Sequence, residues 1–478
     1  MLKRLLSGLF WVLLLNLLIK PFWILGVEVG VQNAVGDEEY GLYFGLFSLA
    51  SILNILLDAG VTNFNTRNIA RHPHLISKHL GGILAIKVAL LGLYLAATLA
   101  AGLLLGFTGR RFALLALLCA NQFLNSLILY LRSNFEGLLL FKWDSVLSVL
   151  DRLLMTAICG ALLWAPGHPR FRIEYFVCAQ TAAYLLTAAT ALLLLTRRAG
   201  FARLRFSRPF SLAILKQSLP FALLVLLMAS YNRIDPILLQ KLSPRGDGEA
   251  GIYAGAYRLL DALTMVPYLV SVPLLPVFAR LTKGRPSAEL GDTVRIATSL
   301  MAVFSITAAA TLSAMDSRLM GLLYRENTEP LAAVFRLLIL GIVPISFTYT
   351  FGTLLTAAGR LRQLNVLAAI TLCINIAANL LLIPRYGAVG SAAASLTAQT
   401  FMAAAQTVAA IRQFDLFPQI SYTIKLAAFA LLIVAANWLL PDVEWWLRLG
   451  AAAALAIGAA AVLRLFDLRQ LLALAKSR

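Results

Sequence analysis

Apolar runs of about 20 residues recur from one end of this chain to the other, the length a helix needs to cross the hydrocarbon core of a bilayer. A soluble domain would have to hide such runs behind a polar coat. With 60% hydrophobic and 13% charged residues and a mean hydropathy of +0.83, the chain lacks the side chains to build one. The expected class is all-α, a polytopic membrane protein of about 14 transmembrane helices. The spans fall near 9–30, 40–58, 79–106, 112–131, 145–165, 173–196, 213–232, 251–279, 294–314, 331–357, 363–383, 387–411, 423–440 and 445–464. The opening MLKRLLSGLFWVLLLNLLIKPFWILGV has the basic start of a signal peptide. Its apolar run is too long for one and no small-x-small cleavage site follows promptly, so it is expected to stay as the first span.

Lysine and arginine orient these spans. Of the 41 in the chain, twenty-five fall on segments sharing a side with the N-terminus, ten fall opposite, and six lie within spans. The positive-inside rule then expects both termini in the cytoplasm. The net charge of +19 faces the anionic inner leaflet and calls for no nucleic-acid partner. The longest basic stretch, TRRAGFARLRFSRPF, marks a division of the chain. The expected parts are an N-lobe of six spans over 1–196, a basic cytoplasmic linker over 197–212, a C-lobe of six spans over 213–411, and a helix pair with a cytoplasmic tail over 412–478. Trp438, Trp445 and Trp446 bracket the last turn opposite the termini, as interfacial anchors do.

The two lobes read as a repeat. GLYFGLFSLASILNILLDAG at 41–60 and GIYAGAYRLLDALTMVPYLV at 251–270 both begin Gly-(Leu/Ile)-Tyr-x-Gly, and both spans end near a basic residue. Six spans separate them, an even number, so the repeat is parallel about an axis along the membrane normal. Duplicated helical bundles are the usual build of a secondary transporter.

The charges inside spans are the candidate binding residues, because each costs about 2.5–3.5 kcal/mol at the centre of a membrane helix and so faces a cavity or a partner. Positions 251, 254, 255, 258, 261, 262 and 265 share one helix face, a small-residue stripe carrying Arg258 and Asp261; leucines occupy the other face. Two readings stand: the stripe lines a cavity, or the two charges pair one turn apart and merely lock the helix. A weaker stripe of Ser48, Ser51, Asn54 and Asp58 runs along the second span and is expected to line the same cavity. Lys20 precedes Pro21, which removes a backbone donor and should bend the first span beside the charge. Arg233 and Asp235 sit in YNRIDP, where the seventh span is expected to end, and Lys87 lies within the third.

Catalytic chemistry is hard to place. There is no GxxxxGK[ST] phosphate loop, no HExxH and no GxSxG, and the loops leave little room for a catalytic domain. No catalytic residue, metal site or cofactor is expected; a coupling ion, proton or sodium, is compatible with the charges. Cys119, Cys159, Cys178 and Cys373 lie singly in apolar runs and read as small core residues.

Three stretches resemble the polysaccharide-biosynthesis flippases, the Wzx-type branch of the multidrug/oligosaccharidyl-lipid/polysaccharide (MOP) exporters. They are VGDEEYGLYFGLFSLASILNILLDAGVTNFNTRNIAR at 35–71, YNRIDPILLQ with GIYAGAYRLLDALTMVP at 231–240 and 251–267, and AAGRLRQLNVLAAITLCINIAANLLLIPRYGAVGSAAASL at 357–396. The resemblance implies transfer of an undecaprenyl-pyrophosphate-linked oligosaccharide across a bacterial inner membrane, for O-antigen, capsule or exopolysaccharide (lipopolysaccharide-type) synthesis. It implies two lobes rocking in alternating access around a cationic cavity, with membrane lipids and a polysaccharide polymerase machinery as partners. Arg258 then matches the arginine of the eighth span, and Asp235 the aspartate of the seventh. Lipid II flippase, multidrug cation antiporter and a non-transporting glycan-assembly factor stand as alternatives.

Overall fold

The computed structural model describes residues 19, 22–58, 60–62, 65–66, 69, 76–138, 140–164, 171–199, 222–282, 288–416, 420–439 and 444–465, and no strand occurs among them. A π-helical segment, Trp23–Glu28, runs into α1 (Val29–Val35), followed by α2 (Asp37–Ile52), α3 (Ile76–Leu104), α4 (Gly109–Gly137), α5 (Phe141–Trp164) and α6 (Ile173–Ala199). Then come α7 (Asp235–Leu242), α8 (Gly246–Leu281), α9 (Ala288–Ser313), α10 (Thr328–Leu340) and α11 (Ile342–Ala357). The chain closes on α12 (Leu361–Phe414), α13 (Ile420–Leu439) and α14 (Trp445–Val462).

Ten helices among the described residues are long and apolar enough to cross a membrane, or eleven when Ala222–Arg233 and α7, bent by 45°, count as one. At 1.5 Å per residue the 54-residue α12 is far too long for a single crossing. It folds back at Gly387, whose φ of 54° and ψ of −131° leave the helix, just after Pro384. Thr371 Oγ1 lies 3.3 Å from Met402 Sδ, and Ser391 Oγ donates to Asn379 Oδ1 at 2.9 Å, so the limbs run antiparallel. They are the expected spans at 363–383 and 387–411. Expected span 40–58 is α2 plus the single turn Ile55–Asp58, interrupted at Leu53–Asn54, and most of 9–30 lies outside the described residues. Leucines and isoleucines such as Leu381, Leu431 and Ile457 stand exposed on helix faces, as lipid-facing side chains would. The chain is an all-α polytopic membrane protein.

YNRIDP was expected to end the seventh span, and the helix Ala222–Arg233 breaks there. After a 45° bend at Ile234 comes α7, with Pro236 in its first turn, where a missing N–H costs nothing. Cys119 and Cys159 are buried, whereas Cys178 and Cys373 are exposed rather than core residues.

Packing gathers the chain into two units, Met1–Ala254 and Gly255–Arg478, with the boundary inside α8. The expected linker at 197–212 lies almost wholly outside the described residues. The first unit extends past it because α7 and the first turns of α8 pack on α2.

Candidate functional site

The N-termini of α2 and α8 carry the same pattern over ten positions, GDEEYGLYFG at 36–45 and GDGEAGIYAG at 246–255. Inside the first unit these two starts cross backbone to backbone. A Cβ on Gly41 would run into the Asp247 carbonyl, and one on Gly251 into the Asp37 carbonyl, so each repeat's glycine seats the other repeat's aspartate. Only glycine permits that approach.

Polar side chains tie the crossing down. Gln32 donates to Asp37 Oδ1 at 2.7 Å and to the Gly251 carbonyl at 3.0 Å. Gln240 donates to the Gly41 carbonyl at 3.1 Å and to Asp247 Oδ1 at 3.0 Å. Arg110 grips Glu39 with two nitrogens at 2.7 and 2.6 Å and reaches Glu174 at 2.6 Å. Arg111 meets Asp247 at 2.5 Å. The repeat was visible in the sequence; the two glutamines and two arginines were not, the arginines having counted only as loop charges.

The in-span charges separate into different environments. Arg258 is 5% exposed, and its Nη1 lies 3.2 Å from Tyr324 Oη, which donates in turn to the Gly255 carbonyl at 3.1 Å. Asp261, one turn on, is exposed. Tyr324 follows the short helix Asp316–Leu323, and nothing in its sequence context marked it. In the first unit Lys87 is fully buried, donating to Asp58 Oδ1 at 2.6 Å, the Leu57 carbonyl at 3.0 Å and Ser126 Oγ at 2.8 Å. Its three ammonium protons are thus engaged within the bundle. Asp58 also takes the Thr62 hydroxyl.

Along the stripe on the second span, expected to line a cavity, Ser51, Asn54 and Asp58 are partly exposed, and the first two bond to α4. Asn54 donates to Gln122 Oε1 at 2.7 Å, and Gln122 donates to Ser51 Oγ at 3.4 Å. Ser48 is buried and its hydroxyl has no partner among the described residues. Asp235 is buried and receives the Tyr253 hydroxyl at 2.7 Å. The Arg233 guanidinium lies 5.9 Å from the Phe47 ring centre, a cation–π contact. Lys20 lies outside the described residues. Among those described, no cluster of His, Cys, Asp and Glu could hold a metal ion.

Sequence comparison settles the family. The profile of the polysaccharide biosynthesis protein family matches residues 5–282, more than half of the chain. The chain belongs to that family. No curated protein matches this polysaccharide biosynthesis family member by sequence. Among solved structures it is similar to the lipid II flippase MurJ in an inward closed conformation, with a TM-score of 0.68 and 15% identity over 96% of this chain and 100% of that one. A multidrug resistance MATE family transporter of the MOP superfamily, inward-facing, gives 0.62 and 16% over 82% and 94%. The Vibrio cholerae MATE transporter VcmN gives 0.58 and 18% over 86% and 97%. At these identities the likeness shows a shared fold.

Proposed function

We propose that this polysaccharide biosynthesis protein is a flippase that carries an undecaprenyl-pyrophosphate-linked oligosaccharide across the bacterial inner membrane by alternating access, for O-antigen, capsule or exopolysaccharide assembly. The observation that carries the reading is Arg258, a guanidinium buried in a membrane-crossing helix of a family member with a transporter fold. A sugar pyrophosphate cannot enter hydrocarbon, whereas arginine binds phosphate through paired donors while the lipid tail stays in the bilayer. The likeness to MurJ supports a second cargo, lipid II, which shares the polyprenyl pyrophosphate.

Driving force on this reading comes from a proton, sodium or potential gradient, since the sequence offers no nucleotide-binding loop. The purified protein in liposomes is expected to expose added lipid-linked glycan to an external lectin without ATP, at a rate that responds to an imposed gradient. Parallel liposomes holding lipid II distinguish the two cargoes. Strict ATP dependence of the isolated protein would overturn the proposal.

The orientation belongs to the same proposal: both termini are cytoplasmic, and the α2–α8 crossing lies on the outer side. Single cysteines introduced at Asp37, Gly246 and Asp442 are expected to react with an impermeant maleimide in intact cells, given the lysine and arginine asymmetry. Protection of all three would invert the topology.

A further inference from the structure

A cavity of about 910 Å³ opens in the second unit among α9, α10, α13 and α14, and it shares no residue with the Arg258 cluster. Its volume lies within the roughly 300–1,000 Å³ of small-molecule sites. One part of its wall is apolar, with Ile306, Leu340, Val343 and Val434; the other carries Asp316, Arg336, Asn437 and Arg448. Arg448 is 9% exposed. Its Nη2 donates to the Asn437 carbonyl at 2.5 Å, and its buried Nε has no partner among the described residues. Arg336 Nε meets Asp316 Oδ2 at 2.5 Å, which consumes that carboxylate's charge. The lining therefore holds two cations against one anion, a surplus of one positive charge.

The cavity's depth in the membrane is marked by aromatics. Trp438 lines it and is largely exposed, and Trp445 and Trp446 stand exposed at the start of α14. Indoles at a helix end sit at headgroup level. A buried guanidinium with a free donor is costly unless an anion completes it. In the headgroup layer the abundant single-charged anion is a phosphodiester, attached to acyl chains that suit the apolar wall.

We propose that this cavity is a binding site for a phosphate-bearing membrane lipid, with the phosphodiester on Arg448 and the acyl chains along Ile306, Val343 and Val434. The lipid is a resident between the terminal helix pair and α9–α10, separate from any transported cargo.

The test uses the full-length protein in neutral detergent, with dioctanoyl-phosphatidylglycerol, dioctanoylglycerol and inorganic phosphate as probes. Phosphatidylglycerol is expected to raise the unfolding midpoint by about 3 °C or more, and the other two at equal concentration are not. Arg448→Gln is expected to weaken the apparent affinity at least about tenfold, the value of a charge-assisted hydrogen bond. Ala314→Phe, which fills the cavity without touching a charge, is expected to remove the shift as well, and it decides the matter if Arg448→Gln does not fold. Arg412→Gln, at the end of α12, should keep it. A shift of equal size with phosphate alone would make the ligand a free anion, and one with dioctanoylglycerol would make the cavity an apolar groove. Retention of the shift in Ala314→Phe would place lipid binding elsewhere. Any of the three overturns the proposal.

Discussion

Arg258→Ala is expected to abolish glycan export while leaving protein level and membrane insertion near normal. The guanidinium is buried on the small-residue face of α8, where alanine fits without a clash and relieves the membrane of a charge. Arg258→Lys should recover only part of the activity, because an ammonium keeps the charge but loses the planar fork that matches a phosphate. Tyr324→Phe removes the hydroxyl that lies 3.2 Å from Arg258 Nη1. Losing such a bond costs about 1.5–3 kcal/mol, so export should fall by roughly one to two orders of magnitude if Tyr324 aims the arginine. The double change Arg258→Ala with Asp261→Ala separates gripping from mere pairing. If the two charges only neutralise each other, removing both restores export; if Arg258 holds pyrophosphate, the double variant stays inactive. The second outcome is expected, and a functional double variant would move the phosphate site away from α8.

Gly251→Leu should be nearly as damaging, for a different reason. The Asp37 carbonyl occupies the space a side chain at 251 would need, and backbone cannot swing aside as a side chain can. Forcing α2 and α8 apart disfavours the packed arrangement by about 1–3 kcal/mol, a five- to 150-fold loss in its population. Gly41→Leu meets the Asp247 carbonyl and should behave alike. A reporter is at hand in Ser48, buried on α2 below the crossing. A cysteine there should resist a polar maleimide in the otherwise wild-type protein and react once leucine stands at 251. Unchanged labelling together with normal export would show that the contact can open without consequence.

Much of the architecture could be read from the chain because bilayer-crossing helices announce themselves by length and apolarity alone. The reversal at Gly387 fell where Pro384 and the adjoining loop residues interrupted the apolar pattern, and the Gly-Tyr-Gly repeat marked the two helix starts that cross. Partners were harder to see. Periodicity places Ser51, Asn54 and Asp58 on one face, but it does not say that Gln122 of α4 and Lys87 of α3 bond to them. The same holds for Lys87: a lone cation in an apolar run does not announce the carboxylate 29 residues away that meets it. Tyr324 was invisible because a tyrosine near a helix end is ordinary wherever it occurs.

The Lys87–Asp58 pair also bears on how the protein is made. Lys87 stands inside an apolar helix of mean hydropathy 2.2, and alone it would resist release from the translocon into lipid. Asp58 emerges from the ribosome earlier and has no ammonium to meet it until the third span has been synthesised. The second and third spans should therefore partition into the bilayer together, as a preassembled hairpin. On ribosome-bound chains of increasing length, stable integration of the second span should come late in wild type and earlier with Asp58→Asn. Biogenesis of this half of the molecule would then be paced by one ion pair rather than by the hydrophobicity of each segment in turn.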